Sequence, residues 1–454
     1  MITEHTIPQV IFGIDPVVAS CGVLLAVYAL IISEKINQAI TALLGASAMI
    51  FLGVISQHDA IAGIDFNTIF LLIGMMIIVG IMKNSGVFQF VAIIAAKSVK
   101  ANPRALLAVL SIITAIFSAL LDNVTTVMLI VPITLLLTEQ LKQNPYPFLF
   151  AQIFASNVGG TATLIGDPPN ILIGSHVGFS FVDFVVNVGP PAFIIMIFLL
   201  IFFDVLWGRK MKTSLRARSH LLRYDAAKAL VDKQLLYKSL FVLGLVLFGF
   251  IAGHSHGYEP GSIALGGASL LMLLDMIKRK RKKVFLLSSQ KQTHAVEKTF
   301  KEVEWDTIFF FIGLFIIVAG VENSGILGVM AGYMLEATEG NLAATGMAIL
   351  WISTVASAFI NNIPFVATII PMIDAMAPTF GGKEGLEPIW WSLSLGACLG
   401  GNGSIVGASA NVMVASFAAR AGQPISFMKF MVMAFPLMIV TVMISSVYAY
   451  FVFF

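Results

Sequence analysis

The chain has 454 residues, of which 58% are hydrophobic and only 11% charged, where a soluble domain carries about 25% charged residues. Its 27 Lys and Arg and 24 Asp and Glu could not sheath a globular core of this size, and 36 Phe with 21 Met point towards lipid, so a water-soluble enzyme is excluded. The net charge of +3 names no partner by itself, and Cys21 and Cys398, both in apolar runs, offer neither a disulfide framework nor a thiolate metal cluster.

Residues 1–15 carry no Lys or Arg, so the basic start of a cleavable signal is missing and the first apolar run is expected to stay in the protein. Runs long enough to cross a hydrocarbon layer of roughly 30 Å follow at 16–33, 38–56 and 66–82, and a surface helix is expected near 86–99. Next come a stretch at 104–141, read as a helical hairpin, a span at 147–178 broken by Gly, Asp, Pro and Asn, and a plain span at 181–205. A basic segment, 206–234, reads as a surface loop. Plain spans resume at 235–252 and 260–277, then a second basic surface loop, 278–304, and a span at 305–321. A surface helix near 326–338, a hairpin at 343–377, a broken span at 388–418 and a last span at 426–453 complete the chain.

That order repeats itself. NTIFLLIGMMIIVGIMKNSGVF from Asn67 aligns without gaps on DTIFFFIGLFIIVAGVENSGIL from Asp306, an offset of 239, with 11 of 22 positions identical. The same offset pairs Ser118 with Ser357, Asn123 with Asn362 and Pro132 with Pro371. An offset of 241 pairs Gly166 with Gly407 and Asn170 with Asn411. A weaker echo joins ALLGASAMI at Ala42 to ALGGASLLM at Ala264. The chain therefore reads as an all-α polytopic membrane protein of about 10 transmembrane helices plus two helical hairpins, arranged as repeats 16–206 and 235–454 joined by the linker 207–234. Each repeat makes an odd number of crossings, which inverts the second relative to the first. On that count every Lys and Arg except Lys383 falls on one face, the cytoplasmic one, and both termini lie outside.

Backbone breaks at bilayer depth are tolerated only where protein or a water-filled cavity satisfies the freed N–H and C=O groups. Here they come in pairs: hairpin tips at Asp122-Asn123 and Asn361-Asn362, and interruptions at 159–170 and 400–411. Two tips and two broken helices brought together offer helix N-termini for anions and unwound carbonyls for cations, the arrangement of a secondary transporter site. The expected coupling-ion residues are Ser118, Asp122, Asn123, Gly166, Asp167, Ser357, Asn361, Asn362 and Gly407. The expected solute contacts are Asn123, Thr125, Thr163, Asn170, Asn362, Asn402, Ser404 and Asn411. Asp122 and Asp167 stand out because an intramembrane carboxylate must be protonated, paired or cation-bound. Each could equally be a helix cap, Asp167 especially, since Pro168 and Pro169 follow it. The Asn residues and serines could likewise tie broken helices to their neighbours. His254 and His256 supply too few ligands for a metal site by themselves. The basic run Lys278–Lys283 reads as a topological signal, with contact to anionic lipid second.

LLDNVTTVMLIVPIT from Leu120 and ASNVGGTATLIGDPPNILI from Ala155 resemble the ion transporter superfamily. The likeness is nearest to the branch of the melanosomal P protein, the arsenite-efflux permeases and the NhaD-type sodium/proton antiporters; the divalent anion/sodium symporters are more distant. The resemblance covers nearly the whole chain. It implies a rigid, homodimeric scaffold and a transport domain of two hairpins and two broken helices moving like an elevator. In the dicarboxylate branch each tip carries Ser-Asn-Thr, whereas this chain has Asp122-Asn123-Val124 and Asn361-Asn362-Ile363. The added Asp122, with Asp167, shifts the reading from carboxylate recognition towards proton or sodium coupling. The expectation is a secondary active transporter, coupled to H⁺ or Na⁺, that moves a small inorganic ion or small anionic solute by alternating access. A Na⁺/H⁺ antiporter is the alternative and a gated channel the rival from another class. Expected partners are membrane lipid, a small ionic solute and a second copy of the chain, with no nucleic acid. No cofactor is expected beyond Na⁺ or H⁺, and no enzymatic activity, since no nucleophile and base pair up. The expected location is a prokaryotic inner membrane.

Overall fold

The computed structural model describes residue 10 and residues 13–33, 35–253, 256–280, 283–286 and 289–454. The first half contains α1 (Pro16–Ser33), α2 (Gln38–Phe51), the short α3 (Gln57–Ala62), α4 (Phe66–Lys83), α5 (Val87–Ser98), α6 (Pro103–Leu120), α7 (Asn123–Gln140), α8 (Tyr146–Thr161), α9 (Pro168–Val177), α10 (Phe181–Asn187) and α11 (Gly189–Leu206). The linker folds into short 3₁₀ turns and α12 (Leu215–Leu222). The second half contains α13 (Lys233–Ala252), α14 (Pro260–Met276), the strands β1 (Ile277–Lys280) and β2 (Lys283–Leu286), α15 (Ser289–Phe300), α16 (Trp305–Asn323), α17 (Ile326–Ala337), α18 (Leu342–Phe359), α19 (Asn362–Asp374), α20 (Glu387–Gly400), α21 (Ser409–Arg420) and α22 (Phe427–Val452).

Among the described residues nine helices are long and apolar enough to span a bilayer, or ten if α9 and α10, bent by 117°, are taken as one. Leu25, Phe193, Phe241 and Phe248 are exposed along these helices, as a lipid-facing surface requires. Three expectations need correction. The run 38–56 does not continue as one helix: α2 ends at Phe51, and Ser56 starts α3 by accepting from the Asp59 N–H. The run 181–205 is split at Val188, where a Gly-Pro-Pro sequence restarts the helix as α11. The two basic segments are not plain loops. Residues 206–234 contain α12, and 278–304 contain α15, which follows an antiparallel hairpin pairing Ile277 with Leu286. This hairpin is the one described departure from an all-helical fold.

Helix contacts fall into two groups. In one, α4 lies along α14 and α2 along α16, with α1 and α13 flanking them. In the other, α6 packs on α8 and α18 on α20, joined by α7 with α21, α9 with α19, and by α11 and α22. The repeats exchange equivalent contacts in both. A side chain at Gly74 would sit 2.6 Å from the Ala264 backbone, and one at Gly313 the same 2.6 Å from the Ala42 backbone. Gly313 is Gly74 shifted by 239, and Ala42 and Ala264 sit in the weaker sequence echo, so both close crossings need the same missing Cβ. The two halves thus make this contact reciprocally, each glycine against the alanine of the other half.

Candidate functional site

Each break in a spanning helix frees carbonyls that hydrocarbon cannot satisfy. The chain meets this demand with the same side chains in both repeats. Ser118 Oγ donates to the Ser156 carbonyl at 2.6 Å and Ser357 Oγ to the Ala397 carbonyl at 2.6 Å. Thr163 Oγ1 donates to the Ala119 carbonyl at 2.6 Å, and Ser404 Oγ to the Ala358 carbonyl at 2.5 Å. Asn170 Nδ2 donates to the carbonyls of Thr161 and Thr163 at 3.1 and 2.9 Å. Asn411 Nδ2 donates to those of Gly401 and Ser404 at 2.7 and 2.8 Å. Six of the expected ligand residues thus place their donors on backbone: the serines and Thr163 tie each broken helix to the hairpin beside it, and Asn170 and Asn411 bridge the break within their own helix.

The halves meet through a second, fully buried layer of amides. Asn157 Nδ2 donates to Asn402 Oδ1 and Asn411 Oδ1, both at 3.0 Å, and Asn123 Nδ2 donates to Asn157 Oδ1 at 3.3 Å. Going the other way, Ser394 Oγ and Cys398 Sγ donate to Asn170 Oδ1 at 2.7 and 3.4 Å. Asn157, Ser394 and Cys398 were not among the expected site residues. A signal existed: Cys398 is Asn157 shifted by 241, and each donates to the conserved-offset Asn of the opposite repeat. At the second tip the Asn362 N–H donates to the Gly407 carbonyl at 3.3 Å, and Asn361 Nδ2 to Ser409 Oγ at 3.1 Å. Gly166, the counterpart of Gly407, lies backbone to backbone against Gly160 and Ser118.

The two aspartates separate. Asp122, partly exposed, is a helix cap: its Oδ1 accepts from the Thr125 N–H at 2.6 Å, at the first turn of α7. Asp167 precedes α9 but makes no cap bond. Its side chain is 0% exposed; Oδ1 accepts from Asn362 Nδ2 of the opposite hairpin at 3.2 Å, while Oδ2 has no partner. Asn123 and Cys398 face the same carboxyl group. Asn123 Oδ1, Thr126 Oγ1 and Asn402 Nδ2 are also buried without partners, each leaving about 1–3 kcal/mol of desolvation unrecovered. Among the described residues no Lys or Arg side chain is buried. Asp167 is therefore a buried acid whose neighbours among the described residues, Asn362, Asn123 and Cys398, are neutral, the setting in which an intramembrane carboxylate is costly as a bare charge. Close to the first tip, Glu304 at the start of α16 is pushed up to about 7, by burial first and then by the negative charge of Asp122.

The tips and breaks, with their Asn pairs, belong to a transporter, and comparison with known proteins agrees. The family described as Citrate transporter matches residues 28–396. The chain belongs to this family. Uncharacterized transporters of Mycobacterium bovis and Mycobacterium tuberculosis are each 40% identical over 417 residues, 91% of this chain and 93% of theirs. The P protein of Homo sapiens is 31% identical over 522 positions, covering 95% of this chain and 59% of the longer relative. Two solved structures share the fold: the Alcanivorax borkumensis YdaH transporter, with TM-score 0.56 at 12% identity over 96% of this chain and 98% of the other, and Neisseria gonorrhoeae MtrF, with TM-score 0.56 at 10% identity over 98% and 96%. The resemblance to the ion transporter superfamily holds, and the protein is an integral membrane transporter of the citrate transporter family.

His254 lies outside the described residues. His256 Nδ1 is 3.0 Å from the Ala252 carbonyl, and the described residues contain no cluster of His, Cys, Asp or Glu that could hold a metal.

Proposed function

We propose that this family member is a secondary active transporter coupled to H⁺ or Na⁺, moving a small inorganic ion or small anionic solute by alternating access, with Asp167 as the coupling site. The carrying observation is Asp167 Oδ2, buried and without a donor at the junction of the two repeats. A proton on that oxygen, or Na⁺ shared with Asn123 Oδ1, removes the uncompensated charge, and losing it restores the penalty, so occupancy and conformation are linked. The neutral donor Asn402 Nδ2 suits an anionic oxygen of the cargo. A multiply charged carboxylate alone would face Asp167 with no buried Lys or Arg to offset it, which favours a small or cation-accompanied solute.

The two contact groups support a moving body and a fixed one. They are bridged by Tyr28 OH, which donates to the Pro364 carbonyl at 2.7 Å, and by Asn67 Nδ2, which donates to Ser175 Oγ at 2.7 Å. The repeat counterpart of Asn67, Asp306, faces Asn37 at 3.5 Å instead. The pseudo-symmetry is broken at the boundary between the groups while it holds within each, as expected of one end state of an elevator. We place the termini outside a prokaryotic inner membrane and the second repeat inverted, on the one-sided distribution of Lys and Arg, and expect a homodimer built on the α2, α4, α14 and α16 group.

Reconstitution tests the proposal. An imposed H⁺ or Na⁺ gradient is expected to drive accumulation of solute against its own gradient. Na⁺-driven pH change without any further solute would assign the antiporter reading. Flux that never runs uphill would assign a channel.

A further inference from the structure

A cavity of about 880 Å³ away from the buried site lies where the end of α4 and the start of α5 meet the linker between the repeats. The joint is tightly made. The Val231 N–H donates to the Ser85 carbonyl at 3.0 Å, and Gly86, at φ +81°, lets the Ala229 carbonyl approach where a Cβ would collide. Lys83, His220, Arg223 and Lys228 line the cavity. Lys83 is neutralised by Glu302 at 3.0 Å, and the lining carboxylate, Asp225, accepts from the Ala227 N–H at 3.1 Å. Arg223 and Lys228 have no ion pair among the described residues. Against the single lining carboxylate, Asp225, the unpaired Arg223 and Lys228 leave the wall net positive, and a planar fork beside a point charge on a cavity larger than a simple ion matches a phosphate group attached to something bulkier.

We propose that this cavity is a binding site for a phosphate-bearing anion, held by Arg223 and Lys228 of the linker. The same wall carries Tyr224, 42% exposed, and Val231, 81% exposed. Apolar groups beside basic ones on a segment next to spanning helices are the composition of a bilayer interface. An anionic phospholipid headgroup and a soluble phosphorylated compound share the required chemistry. Either would clamp the linker to the α4–α5 joint, and α5 in turn packs on both arms of the first hairpin.

The test is thermal unfolding of the full chain in neutral-lipid nanodiscs, titrated with phosphatidylglycerol, with phosphatidylcholine and with inorganic pyrophosphate. A rise in midpoint with phosphatidylglycerol alone supports the site with lipid as its source, and a rise with pyrophosphate supports it with a soluble source. In either case Arg223→Gln with Lys228→Gln is expected to raise the half-saturating concentration by about 25-fold, at roughly 5-fold per charge. Lys35→Gln with Lys429→Gln, both exposed and far along the chain, removes the same charge and is expected to change it little. No rise with either phosphate probe, or equal loss in both double variants, overturns the proposal.

Discussion

The two repeats build the same frame but carry different charge. Ser118, Thr163 and Asn170 in the first half and Ser357, Ser404 and Asn411 in the second make matching bonds to backbone. Where the first half has Asp122 and Asp167, the second has Asn361 and Ala408. What is duplicated answers a demand common to both halves, the satisfaction of broken backbone in lipid. What is present once answers a demand that falls on one half, and the proposed coupling is placed there for that reason.

That contrast is breakable by mutation. The largest effect is expected at Asp167: Asp167→Asn should abolish gradient-driven accumulation with unfolding unchanged or shifted upward, since a buried charge is replaced by a neutral isostere. Next is its partner from the other repeat. Asn362→Ala removes the donor to Asp167 Oδ1, a bond that favours the charged, proton-free carboxylate, and should therefore tighten the apparent affinity for a coupling proton roughly 10- to 100-fold, about 1.5–3 kcal/mol; steady-state flux against ion concentration reads this. Asn170→Ala and Asn411→Ala each leave two carbonyls short of a donor, so both should lower the unfolding midpoint by comparable amounts, about 1–3 kcal/mol per carbonyl. A loss in only one of them would break the equivalence of the frames.

Smaller effects sharpen the difference between the two acids. Asp122→Asn keeps a good cap and should retain stability, while Asp122→Ala costs about 1 kcal/mol in denaturant unfolding. Glu304 gives a pH signature. Its folded value is raised to about 7 from 4.5, so the folded state binds the extra proton between those values. Its contribution is fully present below pH 4.5 and lost as pH rises through about 7. Glu304→Gln should flatten that part of the stability–pH curve.

Much of this was legible in the sequence. The repeat, the tips at Asp122 and Asn361 and the breaks before Asn170 and Asn411 follow from apolar run length interrupted at matched offsets. The allocation of bonds did not, because Ser, Thr and Asn have the same composition whether they hold backbone or cargo, and only their neighbours decide. Asp122 and Asp167 looked alike for that reason: both stand at helix starts, yet the Pro168-Pro169 turn leaves Asp167 with no N–H to cap at its first positions and frees it to reach across to Asn362. Cys398 was passed over as an isolated thiol, although its offset from Asn157 placed it in the amide layer. The strand pair at 277–286 sits in a basic segment whose composition carries no period-two apolar pattern strong enough to announce it.

The most direct measurement is uphill flux in proteoliposomes for Asp167→Asn beside the unaltered protein, with H⁺ and Na⁺ gradients imposed separately and folding checked by thermal unfolding. The account predicts a folded protein that no longer accumulates solute or cation against its gradient under either drive. Full coupled accumulation by folded Asp167→Asn protein would contradict it.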